Sequence, residues 1–362
     1  MDLDAFRRSA RQWLASEATD APPDYGAIVP EQWADAGRRW QRHVHDSGFA
    51  GIHWPVRFGG RGLSPAHTSV WVEECARAGV PPYLNMVGLV LTAEALLAFG
   101  TERQQSAHLP ALASGAALWC QMFSEPDAGS DLAHLRTVAI RDGEGWRLEG
   151  QKVWTSNAHF ADWAICLART DLEAPAHRGL SLFLLDVHSP GVTVLPLRQM
   201  TGQREFAQVV LDGVAVPSEA LLGDVNGGWR VTMSTLGHER DHVGGLVISM
   251  NHQIAETVRY LDEATPVAKD RAVRLWTRGR ALGHLGQQRA RLGDAGASLM
   301  KLGVTGLGLE HADLTAALAG PAATVSGPAA SRVGAAPALG IAGGTTEVQK
   351  SIIAERLLGL PR

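Results

Sequence analysis

No dense run of lysine or arginine occurs in this sequence: 33 basic residues stand against 37 acidic ones, for a formal net charge of −4 and a pI near 6.4. A duplex-binding protein shows a basic face, so nucleic acid is not an expected partner, and any anionic ligand has to be held by a local cluster. Cysteine is scarce. Cys75, Cys120 and Cys166 are odd in number and match neither a disulfide framework nor a zinc-ligand spacing. They read as buried thiols of a reducing compartment, and no metal site is expected. No apolar run reaches the ~18 residues of a membrane span. Met1 to Arg11 is acidic and then basic and lacks the apolar core of a signal peptide, so the cytoplasm is the expected location.

What the chain does contain is three stretches of different periodicity. Its 362 residues exceed one ordinary hydrophobic core, so two or three structural units are expected. From Met1 to Leu118 the spacing is helical: Phe6, Trp13 and Leu14 recur at near-helical intervals, and Val87, Leu89, Leu91, Ala95, Leu96 and Phe99 predict a helix that Gly100 ends. From Trp119 to Val225 the pattern is β. Thr137 to Arg141 and Trp146 to Glu149 flank the turn Asp142-Gly143-Glu144-Gly145, and Ala164 to Leu167, Leu180 to Leu185 and Gln208 to Leu211 add strands. From Asn226 to Arg362 the pattern is helical again, except that Gly320 to Gly340 is rich in Ala, Gly and Pro and reads as a long loop. The expected fold class is α+β: an N-terminal helical domain (1–118), a central antiparallel β-barrel or sandwich (119–225) and a C-terminal helical bundle (226–362).

Three constellations carry chemistry. Gln121-Met122-Phe123-Ser124-Glu125-Pro126-Asp127-Ala128-Gly129-Ser130-Asp131 leaves a strand and turns sharply, with small residues that let backbone amides approach a flat or anionic ligand. The plain alternative is a polar turn. Gly150-Gln151-Lys152-Val153-Trp154-Thr155-Ser156-Asn157 puts an aromatic and, two residues on, a hydroxyl on one side of a strand. A Trp there can cover a planar cofactor, or it can be a core Trp. Gly343-Gly344-Thr345-Thr346-Glu347 reads as a loop entering a helix N-terminus, where unpaired N–H groups face a carbonyl or phosphate. Thr345 as a simple N-cap is the alternative.

Taken in order on an α–β–α chain, these three motifs closely resemble those of the acyl-CoA dehydrogenase family. Asp212-Gly213-Val214-Ala215-Val216-Pro217, the early Trp54-Pro55 to Gly59-Gly60 loop and the C-terminal Gly343 to Arg356 segment match as well, so the resemblance covers nearly the whole chain. It implies FAD as cofactor, an acyl-CoA thioester as substrate, an electron-transferring flavoprotein or another acceptor as partner, and a homo- or heterotetramer. It also implies flavin contacts at Gln121, Phe123, Ser124, Trp154, Ser156, Thr345 and Glu347, and a place for Ser130 by both FAD and acyl-CoA. The Gly343 N–H matches one of two donors to the thioester oxygen, which steady the developing enolate as an oxyanion hole does.

The base departs from the commonest family pattern. Many members carry a catalytic Glu where this chain has Gly343, and a minority place it on a C-terminal-domain helix in a Leu-x-x-Glu-Arg segment. Leu236-Gly237-His238-Glu239-Arg240 matches the latter, which makes Glu239 the expected base and Arg240 a substrate-side contact. An exposed Glu–Arg pair is the alternative reading of those two residues, and Glu310, Asp241 and His238 are weaker candidates for the base. Ala342 and Gly343, with Gly244 and Gly245, favour a branched, cyclic or sterol-like acyl group. The Arg-x-x-Phe-Gly segment by which many relatives reach a neighbour's FAD is absent between Ala255 and Gly293. The chain resembles shorter bacterial members of the family, some of which work as α2β2 assemblies with a related partner. Two other readings therefore stand beside the dehydrogenase: a cofactor-completing subunit without turnover, and an oxidase or monooxygenase of the same fold.

Overall fold

The computed structural model describes residues 1–241, 243–259, 261, 264–287 and 294–361; the side chains at 237–241, 243–245, 259, 287 and 294 lie outside the described set. The chain divides into two compact units, 1–198 with 204–238, and 199–203 with 239–362.

The first unit opens with helices α1 (Leu3–Glu17), α2 (Ala34–Asp46), α3 (Pro65–Ala78), α4 (Ala93–Phe99) and α5 (Glu102–Ala113). Asp2 caps α1 by accepting from the Ala5 N–H, and Thr101 with Gln104 forms a capping box on α5. The stretch expected as one helix up to Gly100 begins instead as a π-helix, Val87–Thr92, before continuing as α4. All six of its residues are buried, and the Asn85 carboxamide bonds the Gly88 N–H and the Trp119 carbonyl, so tertiary contacts support the wider turn. Phe6, Leu14, Trp40, Phe49, Trp71 and Leu96 form the core between these helices. In the early glycine-rich loop, a Cβ on Gly60 would stand 2.2 Å from the Trp54 carbonyl oxygen, so only glycine fits there.

The β part of this unit is one eight-stranded sheet: β1 (Trp119–Met122), β2 (Val138–Asp142), β3 (Gly145–Ser156), β4 (Trp163–Arg169), β5 (Leu180–Asp186), β6 (Val192–Leu197), β7 (Phe206–Val216) and β8 (Leu221–Leu222). The order is β6-β7-β3-β2-β4-β5-β8, with β1 added on β4. The β2–β3 hairpin pairs Asp142 with Gly145, as the turn residues predict. Pairing is antiparallel except that β1 and the start of β2 run parallel to β4. Alternation buries Trp146, Leu148, Val209, Leu211 and Val214 on one face.

Helix α6 (Gly228–Asp241) crosses the boundary between the units. The second unit packs α7 (Val243–Arg259), α8 (Pro266–Gln287) and α9 (Asp294–Ala319) around Val247, Ile254, Leu275, Leu282, Met300, Val304 and Leu307. The segment expected as a long loop is mostly helical: a 3-10 turn Gly320–Thr324, helix α10 (Pro328–Ala335) and a 3-10 turn Ala336–Gly340. Pro at the first turn suits a helix start, and alanine has the highest helix propensity, so the composition that suggests a loop also permits short helices. Helix α11 (Thr346–Arg356) follows, with Thr345 as its N-cap. Among the described residues no helix is long and apolar enough to cross a membrane. All three cysteines are buried and unbridged.

Candidate active site

In the first unit the two motif segments lie side by side, joined by a buried ion pair. Glu125 and Ala128 exchange backbone hydrogen bonds of 3.0 and 3.1 Å, which closes the turn through Pro126 and Asp127. The Val153 N–H donates to the Ser124 carbonyl at 2.9 Å. Lys152, fully buried, donates from Nζ to Glu125 Oε1 at 2.8 Å and to the Phe123 carbonyl at 3.2 Å. The Glu125 carboxylate also accepts from the Thr137 and Arg136 N–H groups at 2.9 and 2.6 Å. Burial alone pushes the Glu125 carboxyl up, but the Lys152 charge and these hydrogen bonds outweigh it and hold the group below the usual carboxylate range.

Strand β3 is irregular where it reaches the site. Its pairing with β7 shifts between Lys152 and Thr155, and Trp154 adopts φ +58° there. A non-glycine residue in that region is strained, and aromatic bulk makes it uncommon. The Trp154 side chain is 60% exposed, with one edge against Phe206 at 6.0 Å. Thr155 is buried, while Ser156 is half-buried. Asn157, also left-handed at φ +60°, ties the strand end down: its side-chain amide donates to the Val29 carbonyl and its N–H to the Glu205 carbonyl, both at 2.7 Å.

The other expected contacts of this unit fall around the same turn. Gln121 and Ser124 are half-buried and Ser130 is exposed. Phe123 differs from the rest, because its ring belongs to the hydrophobic core and is 4% exposed, and its carbonyl is taken by Lys152. What this unit presents outward is an exposed indole on a strained backbone, with the Ser124 and Ser156 segments held by hydrogen bonds. Such a surface fits a flat, hydrogen-bonding cofactor.

In the second unit Gly343 and Gly344 have φ +65° and +89°, and Thr345 Oγ1 accepts from the Val348 N–H at 3.3 Å. The left-handed pair turns the chain into α11, which leaves Gly343 exposed and Thr345 half-buried. Glu347 sits exposed in the first turn, where a negative charge complements the helix dipole. Buried Gln349 donates to the Gly343 carbonyl at 2.9 Å and the Gly344 carbonyl at 3.4 Å, and Lys301 and Thr305 both donate to the Leu339 carbonyl. Glu239 and Arg240 lie on α6, with side chains outside the described residues, as are those of His238 and Asp241. Glu310 is exposed, with both carboxylate oxygens on Arg278, which makes it a surface ion pair.

Lys152, Glu125, Asn157 and Gln349 stand inside the quoted motifs, yet sequence reasoning assigned them nothing. One signal was available: Lys152 shares the inward parity of Trp146 and Leu148 along β3, so alternation alone would have buried its charge and required a partner.

The chain combines a helical–β–helical architecture with an exposed, strained Trp beside a hydroxyl-rich turn. Sequence profiles of the acyl-CoA dehydrogenase N-terminal, middle and C-terminal domains match residues 2–116, 120–214 and 226–358. The acyl-CoA dehydrogenase IpdE1 of Mycobacterium tuberculosis is 36% identical over 393 residues, covering all of this chain and 98% of that protein. The acyl-CoA dehydrogenase FadE34 of the same organism is 38% identical over an alignment of 359 residues that covers 96% of this chain, which spans only 50% of FadE34. Among solved structures, a Tcur3481–Tcur3483 steroid acyl-CoA dehydrogenase superposes with a TM-score of 0.86 at 26% identity over the full length of both chains. The ChsE4–ChsE5 complex from Mycobacterium tuberculosis does so with 0.81 at 27%, covering 99% of this chain and 98% of the other. The chain belongs to the acyl-CoA dehydrogenase family, whose members are oxidoreductases that use FAD.

Proposed function

We propose that this protein is an FAD-dependent dehydrogenase of a bulky acyl-CoA, branched, cyclic or sterol-like, with Glu239 as the base. The observation that carries the cofactor part is Trp154, exposed at a strained φ on β3, with the half-buried Ser156 two residues on. FAD, when bound, would accept the hydride that leaves the substrate β-carbon. The protein's own residues do the rest. Trp154 covers one face of the ring system and excludes water, and the Ser124 and Ser156 hydroxyls, with Gln121 and the Phe123 peptide, orient its edge. Thr345 and Glu347 are further proposed cofactor contacts, and Ser130 a proposed contact of both ligands. Glu239 removes the α-proton, and the Gly343 N–H donates to the thioester oxygen as negative charge develops there. Arg240 is a contact on the substrate side.

The bulky acyl group is supported by the small residues Ala342 and Gly343 in the loop and by the steroid dehydrogenase named among the similar structures. A second reading, in which a related partner chain completes the cofactor site, is supported by the paired names of two neighbours and by the missing Arg-x-x-Phe-Gly segment. Anaerobic titration of the purified chain with a panel of straight, branched and steroid-side-chain CoA esters, following the flavin's visible absorbance, tests the proposal. Bleaching by a bulky ester is the expected result. Clear preference for straight chains overturns the substrate class, and a colourless protein that stays inert with added FAD overturns self-sufficiency and favours the partner chain.

A further inference from the structure

We propose that Gln349 is a positioning residue for the thioester step: its side-chain amide holds the turn from which the Gly343 N–H is aimed. This rests on the reading above, in which that N–H meets the thioester oxygen.

The turn has little of its own to hold it. Two successive glycines at φ +65° and +89° have no side chains to pack, and their peptide planes rotate cheaply. An oxyanion donor works only if its direction is set before the charge develops. On the N-terminal side the anchor is the Ala342 N–H on the Ala338 carbonyl at 2.9 Å, with Lys301 and Thr305 capping the Leu339 carbonyl. On the other side the anchor is Gln349, whose Nε2 donates to the Gly343 carbonyl at 2.9 Å and the Gly344 carbonyl at 3.4 Å. The Gly343 N–H lies between these anchors.

The chemistry of the amide fixes its orientation. Two carbonyl oxygens face it, so only the NH2 end can point at them. That leaves Gln349 Oε1 buried without a hydrogen-bond partner among the described residues, on a residue 1% exposed. A Leu or Met of similar volume would fill the space without desolvating an oxygen. The amide is therefore poorly explained as packing and well explained as a clamp on the glycine carbonyls. The fit is close: a Cβ on Gly344 would stand 2.6 Å from Gln349 Nε2.

The test uses the FAD-loaded protein and the ester that bleaches wild type best, in anaerobic stopped flow, normalised to bound flavin. Gln349→Leu is expected to slow flavin reduction at saturating ester roughly 10- to 100-fold, part of the ~10²–10³ that a lost oxyanion donor costs, with half-saturation within about twofold. Gln349→Glu distinguishes positioning from bulk. Burial raises the pKa of the new carboxyl, and only its protonated form can donate to the Gly343 carbonyl, so its rate relative to wild type rises as pH falls. Gly344→Ala, which pushes on the amide from the opposite side, is expected to share the Leu phenotype. A per-flavin rate within about twofold of wild type in Gln349→Leu overturns the inference. So does a Gln349→Glu ratio that is flat with pH, which is the result for a merely structural role. Wild-type protein that no ester bleaches overturns instead the functional reading on which this one rests.

Discussion

Lys152 Nζ sits 2.8 Å from Glu125 Oε1, with the lysine side chain fully buried and the glutamate side chain 6% exposed. That pair, with the Phe123 carbonyl and the Arg136 and Thr137 amides as further partners, joins the Ser124 turn to the Trp154 strand. Removing one partner leaves a buried charge alone, which costs about 3–5 kcal/mol. Lys152→Met and Glu125→Gln are each expected to lower unfolding free energy by that order in urea titrations, and the double variant by less than their sum. Losses under about 1 kcal/mol would contradict the bridging role.

Trp154 is expected to behave in the opposite way. Its side chain is mostly exposed and its backbone is strained, so Trp154→Gly removes little packing and relieves a strain of order 1 kcal/mol. The thermal midpoint of the apoprotein stays level or rises, while FAD is lost faster on dialysis. Unchanged FAD retention would remove Trp154 from the cofactor site.

Glu239→Gln tests the base. Loss of a positioned general base slows proton transfer about 10²–10⁴-fold. The variant is expected to bind FAD and the bulky ester as wild type does and to stay yellow on the timescale that bleaches wild type. Rapid bleaching of the variant would point to a base elsewhere.

Acid sensitivity follows from His311. Burial, and then the Arg332 charge, pushes its pKa down to about 4, while Nδ1 accepts from Arg332 and Nε2 faces Thr257 Oγ1. The unfolded chain binds this proton with a pKa near 6.5, so the folded state binds fewer protons in between. The stability it contributes is full above about pH 6.5 and falls as pH drops toward 4, by roughly 3 kcal/mol in all. His108 and His159, whose pKa values are also lowered chiefly by burial, act in the same direction, whereas Glu125 adds its loss only below the usual carboxylate range. Thermal midpoints between about pH 7 and 4.5 are expected to fall less steeply in His311→Gln than in wild type; parallel curves would exclude His311.

Much of this was legible in residue order. The hairpin at Asp142–Gly145, the stop at Gly100 and the Thr345 cap are local events that turn chemistry and capping dictate. The π-helical start at Val87 was not, because it depends on the Asn85 carboxamide bridging to Trp119 from another element. The helices between Gly320 and Gly340 were missed because proline and glycine were read as breakers, although Pro328 opens α10.

By itself the sequence determined the family, the α–β–α order and the three motifs, since these rest on spacing along the chain. Tertiary structure alone decided what the motif residues do for one another. Lys152 and Glu125 are 27 positions apart, and a buried charge is tolerable only where folding brings its partner to within hydrogen-bond distance.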